Sequence, residues 1–220
     1  VPGVITTFAG GGIGDGGPGS AAALRGAEGV FLDPSGAVYV ADTENHRVRM
    51  VDSLGVITTV VGTGVSGFSG DGGAGTDAQL DSPADVFVDA TGWLYVADTG
   101  NDRVRVVDAQ GVVTTMAGGG TGIGEGGPAT AAGLSGPAGV FVDSLGVLYV
   151  ADTGNHRIRK IDPSRTIITT AGTGSAGLSG DGGSATAASL DGPRGLYATG
   201  DGSLYFADSG NHRIRKVDPS

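Results

Sequence analysis

Four acids recur in one kind of surroundings: Asp15, Asp71, Glu125 and Asp181 each stand in a Gly-acid-Gly-Gly segment. Calcium takes roughly six to eight oxygens from carboxylates and carbonyls, and glycine lets a loop wrap close to an ion. These segments are candidate calcium sites, each supplying one acid, with Asp77, Asp81 or Asp191 able to help in two of them. Glu28, Asp85 and Arg194 form a different set. They stand where equivalent segments carry Ala84, Ala138, Gly29, Gly139 and Gly195, so their charge is not demanded by repetition. An asymmetric polar cluster of that kind suits a small-molecule or peptide site, and ordinary drift between repeats would leave the same residues.

Other chemistry is excluded by context. His46, His156 and His212 occupy one position in three copies, with Asp102 in the fourth. Three histidines hold zinc only by converging to about 2.1 Å of one ion, whereas equivalent positions on separate repeats diverge, so a structural or surface role is expected. Gly12-x-Gly14-x-x-Gly17 and Gly122-x-Gly124-x-x-Gly127 match a dinucleotide fingerprint, but that motif needs a strand and a real helix around it. There is no cysteine, no Gly-x-Ser-x-Gly elbow and no His-Glu-x-x-His. No nucleophile or general base stands out.

Repetition supplies the elements that position these residues. Val38-Tyr39-Val40-Ala41-Asp42-Thr43 returns near Leu94, Leu148 and Leu204, and a Thr-Thr pair returns at Thr6, Thr58, Thr114 and Thr169. Such a period marks a repeat architecture. Within the first full unit, Val30–Asp33, Val38–Val40, His46–Val51 and Val56–Val61 read as short strands, rich in β-branched residues and separated by Pro-Ser-Gly, Asp-Thr-Glu-Asn and Gly turns. A long Gly-rich connection, Gly62 to Ser82, leads onward; the short Ala-rich stretches such as 21–24 allow one helical turn at most. The expectation is an all-β propeller of four blades, a single domain over 1–220, with blades at about 28–61, 84–117, 138–171 and 194–220. Residues 4–10, containing Val4-Ile5-Thr6-Thr7-Phe8, read as a fourth strand that completes the last blade and closes a monomeric ring. The same strand would also suit self-association of arcs into a larger ring.

Composition narrows the partners. The chain has 220 residues, 45 of them glycine, and a formal net charge of −10. It can bury a real core, no apolar run is long enough for a membrane-spanning helix, and the acidity argues against a nucleic-acid backbone. The chain starts at Val1 without a signal-like segment, as expected of a processed chain or an excised piece.

Asp152-Thr153-Gly154-Asn155-His156-Arg157-Ile158-Arg159-Lys160-Ile161-Asp162, with its counterparts at 98–108 and 208–218, resembles the signature of the NHL-repeat family, as do Gly136-Pro137-Ala138-Gly139-Val140 and Leu148–Asp152. The resemblance spans all four units. It implies a β-propeller, most often of six blades, used chiefly as an interaction platform; four longer units depart from that pattern. Lactonases and amidating lyases in related families place a metal at the channel, and the ligands for that are not evident here.

Strand parity puts the Gly-rich connections and the Asp-Thr-Gly-Asn loops on one face, the top. Glu28, Glu44, Asp77, Asp81, Asp85, Asp102 and Asp191 add to its acidity, opposed outside the repeated pairs by Arg25 and Arg194. The paired arginines 47/49, 103/105, 157/159 and 213/215 are expected to serve each blade by pairing Asp42, Asp98, Asp152 and Asp208. Trp93 is expected to pack at a blade edge. The reading favoured is a non-catalytic interaction module that binds a protein, peptide or glycan through acidic top-face loops, without a cofactor unless calcium binds. Two alternatives stand beside it: a metal-dependent hydrolase or lyase with its ion at the channel mouth, and a purely structural segment of a larger secreted protein. Gly, Ser and Thr richness with low charge points to an extracellular or cell-surface location.

Overall fold

β-Branched and aromatic residues cluster over stretches of four to six residues, and in the computed structural model, which describes residues 3–10 and 14–219, all of those from Val30 onward lie in strands. Blade 1 is β1 (Ala27–Leu32), β2 (Val38–Asp42), β3 (Arg47–Val51) and β4 (Ile57–Val61). Blade 2 is β5 (Asp85–Val88), β6 (Leu94–Asp98), β7 (Arg103–Val107) and β8 (Val113–Gly118). The short β9 (Gly127–Pro128) precedes blade 3, made of β10 (Pro137–Val142), β11 (Leu148–Asp152), β12 (Arg157–Ile161) and β13 (Thr166–Ala171). Blade 4 has β14 (Pro193–Ala198), β15 (Leu204–Asp208) and β16 (Arg213–Val217). Every blade is an antiparallel meander in chain order. The turns are set by aspartates: Asp33 Oδ1 accepts the N–H groups of Ser35 and Ala37, and Asp89, Asp143, Asp52 and Asp108 do the same at their own turns.

Consecutive blades pack face to face, so that blades 2 and 3 each turn one face to the blade before and the other to the blade after. Phe31, Tyr39, Ala41, Val48 and Val61 of blade 1 pack on Val86, Val88, Leu94, Val96, Val107 and Val113 of blade 2. The other face of blade 2, including Tyr95, Ala97 and Val104, packs on Val140, Val142, Leu148, Val150 and Ile161 of blade 3; Trp93 lies against this cluster, as expected of an edge-packing residue. Phe141, Tyr149, Ala151 and Ile158 then meet Leu196, Leu204 and Phe206 of blade 4. Fully burying one such side chain contributes roughly 1.5–3 kcal/mol. Along the inner wall, Phe31, Phe87, Phe141 and Tyr197 stand in a row with ring centroids 4.7, 4.9 and 5.0 Å apart.

Polar staples repeat at the same three junctions. Thr43, Thr99 and Thr153 donate their hydroxyls to the carbonyls of Pro83, Pro137 and Pro193 on the following blade. His46 and His156 accept, through Nδ1, the N–H groups of Ser82 and Gly192, and Asp102 accepts that of Gly136. These acceptors follow a short 3-10 turn in the left-handed conformation, with φ of 51°, 51° and 54°, which His and Asp tolerate better than most residues. A hydrogen-bond acceptor is all that the position asks for, which is why Asp102 can stand where two other blades have histidine.

One expectation fails. Val4–Phe8 forms no strand and does not complete blade 4, which has three strands among the described residues. The segment is held beside blade 1, where the Gly10 N–H donates to the Gly19 carbonyl, and Ile5 is 98% exposed.

Candidate functional site

The repeated charges assemble at the outer part of each blade. Asp98 closes β6, and Arg105 lies two residues into β7; the pairing of Asp98 with Arg103 sets their faces side by side. Arg105 Nη1 reaches Asp98 Oδ2 at 3.4 Å, and its Nη2 reaches Asp71 Oδ1 at 2.7 Å. The guanidinium is fully buried between the two acids, as is Asp98. Blades 1, 3 and 4 repeat the set with Asp42–Arg49–Asp15, Asp152–Arg159–Glu125 and Asp208–Arg215–Asp181. A buried guanidinium demands such partners, because an unpaired charge away from water is costly. The Nε atoms of Arg49, Arg105 and Arg159 stay without a hydrogen-bond partner.

The expected partners Asp42, Asp98, Asp152 and Asp208 are thus in place, and each arginine gains a second acid. Asp15, Asp71, Glu125 and Asp181, the calcium candidates, do not converge on an ion: each carboxylate is committed to the arginine of its own blade. Among the described residues no three acids or histidines gather closely enough to hold a metal. The glycines beside these acids serve the backbone instead. Gly72 and Gly75 donate to the carbonyls of Val113 and Gly111, laying the Gly-rich segment along the outer edge of β8 and covering it. Gly16 and Gly126 donate to Ile57 and Ile167 in the same way. Of the glycine fingerprints, Gly12 lies outside the described residues, and Gly127 opens a strand rather than a helix.

Electrostatics separate the members of a set. Burial pushes the Asp98 and Asp152 carboxyls up, against the pull of hydrogen bonds and the arginine charge. At the looser end, burial also pushes Asp15 and Glu125 up, but hydrogen bonds from Thr59 and Thr169 and the arginines outweigh it and hold both below the usual range.

Glu28, Asp85 and Arg194 lie at the start of the inner strands, and no ion pair or hydrogen bond joins them among the described residues. Glu28 and Arg194 are exposed, each at an irregularity in the β1–β2 or β14–β15 register that loosens the strand start. Asp85 alone turns inward. Its Oδ1 accepts the Val86 N–H and its Oδ2 the Val140 N–H, both at 2.9 Å, so it straps β5 to β10. It lines an apolar groove of about 480 Å³ with Phe31, Phe87, Phe141 and Tyr197. Burial raises its pKa to about 6, against the two backbone donors. Gly29 must be glycine here, since a Cβ would come within 2.6 Å of the Asp85 Cα.

Sequence reasoning missed the apolar tips of the top face. Val65, Phe68, Ile123 and Leu178 sit exposed on the Gly-rich connections, and the Asn101 and Asn211 side chains donate to the Gly67 and Gly177 carbonyls, bringing the Asp-Thr-Gly-Asn-type loops to the same face. Phe68 also lies under the guanidinium of Arg103, 3.9 Å from its centre.

A family model described as NHL repeat matches residues 24–49 and 134–161. Mouse (Mus musculus) teneurin-1 is 31% identical over 93% of this chain, which covers 8% of that protein. Chicken (Gallus gallus) NHL repeat-containing protein 2 is 28% identical over 90% of this chain and 40% of its own length. A streptogramin B lyase structure superposes with a TM-score of 0.60 at 16% identity, over 88% of this chain and 51% of that one. The chain therefore spans well under half of these curated relatives, and no helix in it is long and apolar enough to cross a membrane.

Proposed function

The chain is built of NHL repeats folded as β-propeller blades, and from that premise we propose that it is a non-catalytic interaction module whose top-face loops bind a protein, peptide or glycan. One observation carries the reading. Among the described residues every acidic side chain except Glu28, Asp77 and Asp191 accepts a hydrogen bond or joins an ion pair, almost always in a turn, an acid–arginine set or a blade junction. The acidity is spent on architecture, and no carboxylate pair is left poised for acid–base work. What the top face offers a partner is its exposed tips, Phe68, Ile123 and Leu178, flanked by carboxylates; apolar anchors with a charged rim are the usual anatomy of a binding surface.

The test is a triple exchange of Phe68, Ile123 and Leu178 to serine, screened with the wild type against arrayed glycans and a displayed peptide library. Ligands that bind the wild type and are lost in the triple variant support the reading. Ligands that bind both equally place recognition elsewhere and overturn it. A metal-dependent hydrolase or lyase keeps one supporting observation, the single Asp85 in an apolar groove. It requires turnover of a lactone or ester panel that Asp85→Asn abolishes while the fold persists.

A further inference from the structure

Trp93 and Arg165 depart from the repeat at one place, the junction of blades 2 and 3. Trp93, the single tryptophan of the chain, stands where the other blades have Ala37, Val147 and Ser203, and Arg165 stands where blades 1 and 2 have Gly55 and Gly111. The second exchange is costly. Gly55 and Gly111 turn the chain with φ of 80° and 79°, and Arg165 takes the same left-handed turn at φ 66°, which costs a residue with a Cβ about 1–2 kcal/mol. Its side chain is exposed, and among the described residues its guanidinium makes no hydrogen bond or ion pair. Nothing within the blade offsets the strain.

The turn that ends at Trp93, between β5 and β6, and the turn that carries Arg165, between β12 and β13, line one cavity of about 280 Å³. Trp93 and Tyr95 give it two aromatic side chains, and the buried Met116, Leu148 and Ile161 give it an apolar floor. Its charged groups are of both signs, Asp89 and Asp162 beside Arg165. Asp89 accepts the N–H groups of Thr91 and Trp93 through Oδ1 and the Tyr95 hydroxyl through Oδ2, the last at 3.2 Å. Asp162 Oδ1 accepts the Ser164 hydroxyl and the Thr166 N–H, while its Oδ2 accepts nothing among the described residues. The acids are therefore fixed by their turns with acceptor capacity to spare, next to a guanidinium whose five donors are unused. At the junction of blades 1 and 2 the corresponding residues are Ala37 and Gly111, so neither indole nor cation is present there.

We propose that this cavity between blades 2 and 3 binds one uncharged hexose ring. Charge selects the class. A carboxylate or phosphate ligand would meet Asp89 and Asp162, and a cationic ligand would meet Arg165. A ring of hydroxyls suffers neither conflict, because each hydroxyl both donates and accepts. It can donate to Asp162 Oδ2 and accept from Arg165, while the apolar C–H face of the same ring lies on Trp93. Size agrees: small-molecule sites usually offer roughly 300–1,000 Å³, and 280 Å³ holds one ring rather than a chain. The strain at Arg165 then serves a ligand, as strained residues at functional sites do. Strand parity places these two turns at the opposite end of the blades from Phe68, Ile123 and Leu178, so this is a second site, separate from the top face.

The single tryptophan makes the site its own reporter. The methyl glycosides of glucose, galactose, mannose and N-acetylglucosamine are titrated in turn, and at least one is expected to shift Trp93 emission saturably, with a dissociation constant on the order of 1 mM. Arg165→Gly gives the turn the residue that blades 1 and 2 have there, so it folds. It is expected to weaken that sugar about tenfold or more, while its melting midpoint holds or rises. Trp93→Ala, which copies blade 1, is expected to abolish the heat of binding in calorimetry. The serine triple variant of Phe68, Ile123 and Leu178 is expected to bind the sugar as the wild type does. No saturable shift with any of the four glycosides overturns the proposal, as does an Arg165→Gly variant that binds as tightly as the wild type or a sugar response lost in the triple variant. A stronger response to glucuronate, choline or N-acetyltyrosine amide also overturns it, since the cavity would then take an anion, a cation or a peptide side chain.

Discussion

Asp98 and Asp85 are buried carboxylates of the same blade, both pushed up by desolvation, yet they are held in opposite ways. Asp98 faces the Arg105 guanidinium, with Asp71 behind it, and the arrangement recurs in every blade. Asp85 faces two backbone N–H groups and no cation, and it occurs once. A charge that is copied with the repeat travels with its countercharge. A charge that appears in one copy must make do with what the fold already offers there, and the result is a group that titrates near neutrality.

Removing the countercharge is the hardest blow to the repeated set. Arg105→Met leaves Asp98 buried and unpaired, and about 3–5 kcal/mol of stability is expected to be lost. Urea unfolding measures it, and the double variant Arg105→Met/Asp98→Asn is expected to recover a large part. A loss below about 1 kcal/mol for the single variant would show that Asp98 takes up a proton at little cost, erasing its difference from Asp85.

For Asp85 the expected signature is in pH. Its folded pKa of about 6 lies above the ordinary carboxylate value of 3.8, so the native state binds the proton more tightly than the unfolded chain. Its contribution is therefore full at low pH and is lost as pH rises from about 4 to about 6, by at most about 3 kcal/mol. Asp85→Asn cannot titrate, so the difference between the variant and the wild type should grow in the variant's favour across that window and level off above it. A flat difference would mean that the two N–H donors fully offset burial.

Asp71→Ala sharpens the contrast within the set. It removes the partly exposed acid and leaves Arg105 paired with Asp98 and with the Ser69 carbonyl, so about 1–2 kcal/mol is expected. A melt compared with that of Arg105→Met decides whether the outer acid is a partner or a mere cover.

The four-blade meander was legible because the chain states it four times over, in strand lengths, turn residues and the Asp–Arg pairs. What the sequence did not show of the Gly-acid-Gly-Gly segments is the arginine that each acid pairs, because an acid among glycines looks like an ion site when its partner cation is far along the chain. The signal was nonetheless present: Asp15 and Arg49, Asp71 and Arg105, and Glu125 and Arg159 are each 34 residues apart, as a structural pair must be in a repeat. Nothing comparable announced Asp85. Its altered proton affinity comes from its burial at the groove that all four blades line, which no local pattern contains. Val4–Phe8 has the sequence of a fourth strand, but sequence alone does not say where that strand pairs.

The smallest effect concerns the junction staples. If position 156 requires only an acceptor on left-handed backbone, His156→Asn, which supplies a neutral acceptor beside the Asp191 carboxylate, should change stability by a few tenths of a kcal/mol at most. His156→Gly keeps the backbone conformation, at which glycine is unstrained, and removes the acceptor, so the Gly192 N–H loses its partner and about 1 kcal/mol is expected to go. His156→Ala loses the acceptor and adds left-handed strain, about 1–2 kcal/mol more. The ranking Asn, Gly, Ala, read from denaturation midpoints, assigns the staple to its hydrogen bond. A glycine variant as stable as the wild type would assign it to packing alone, and the recurrence of His and Asp at this turn would then reflect nothing more than their tolerance of its backbone.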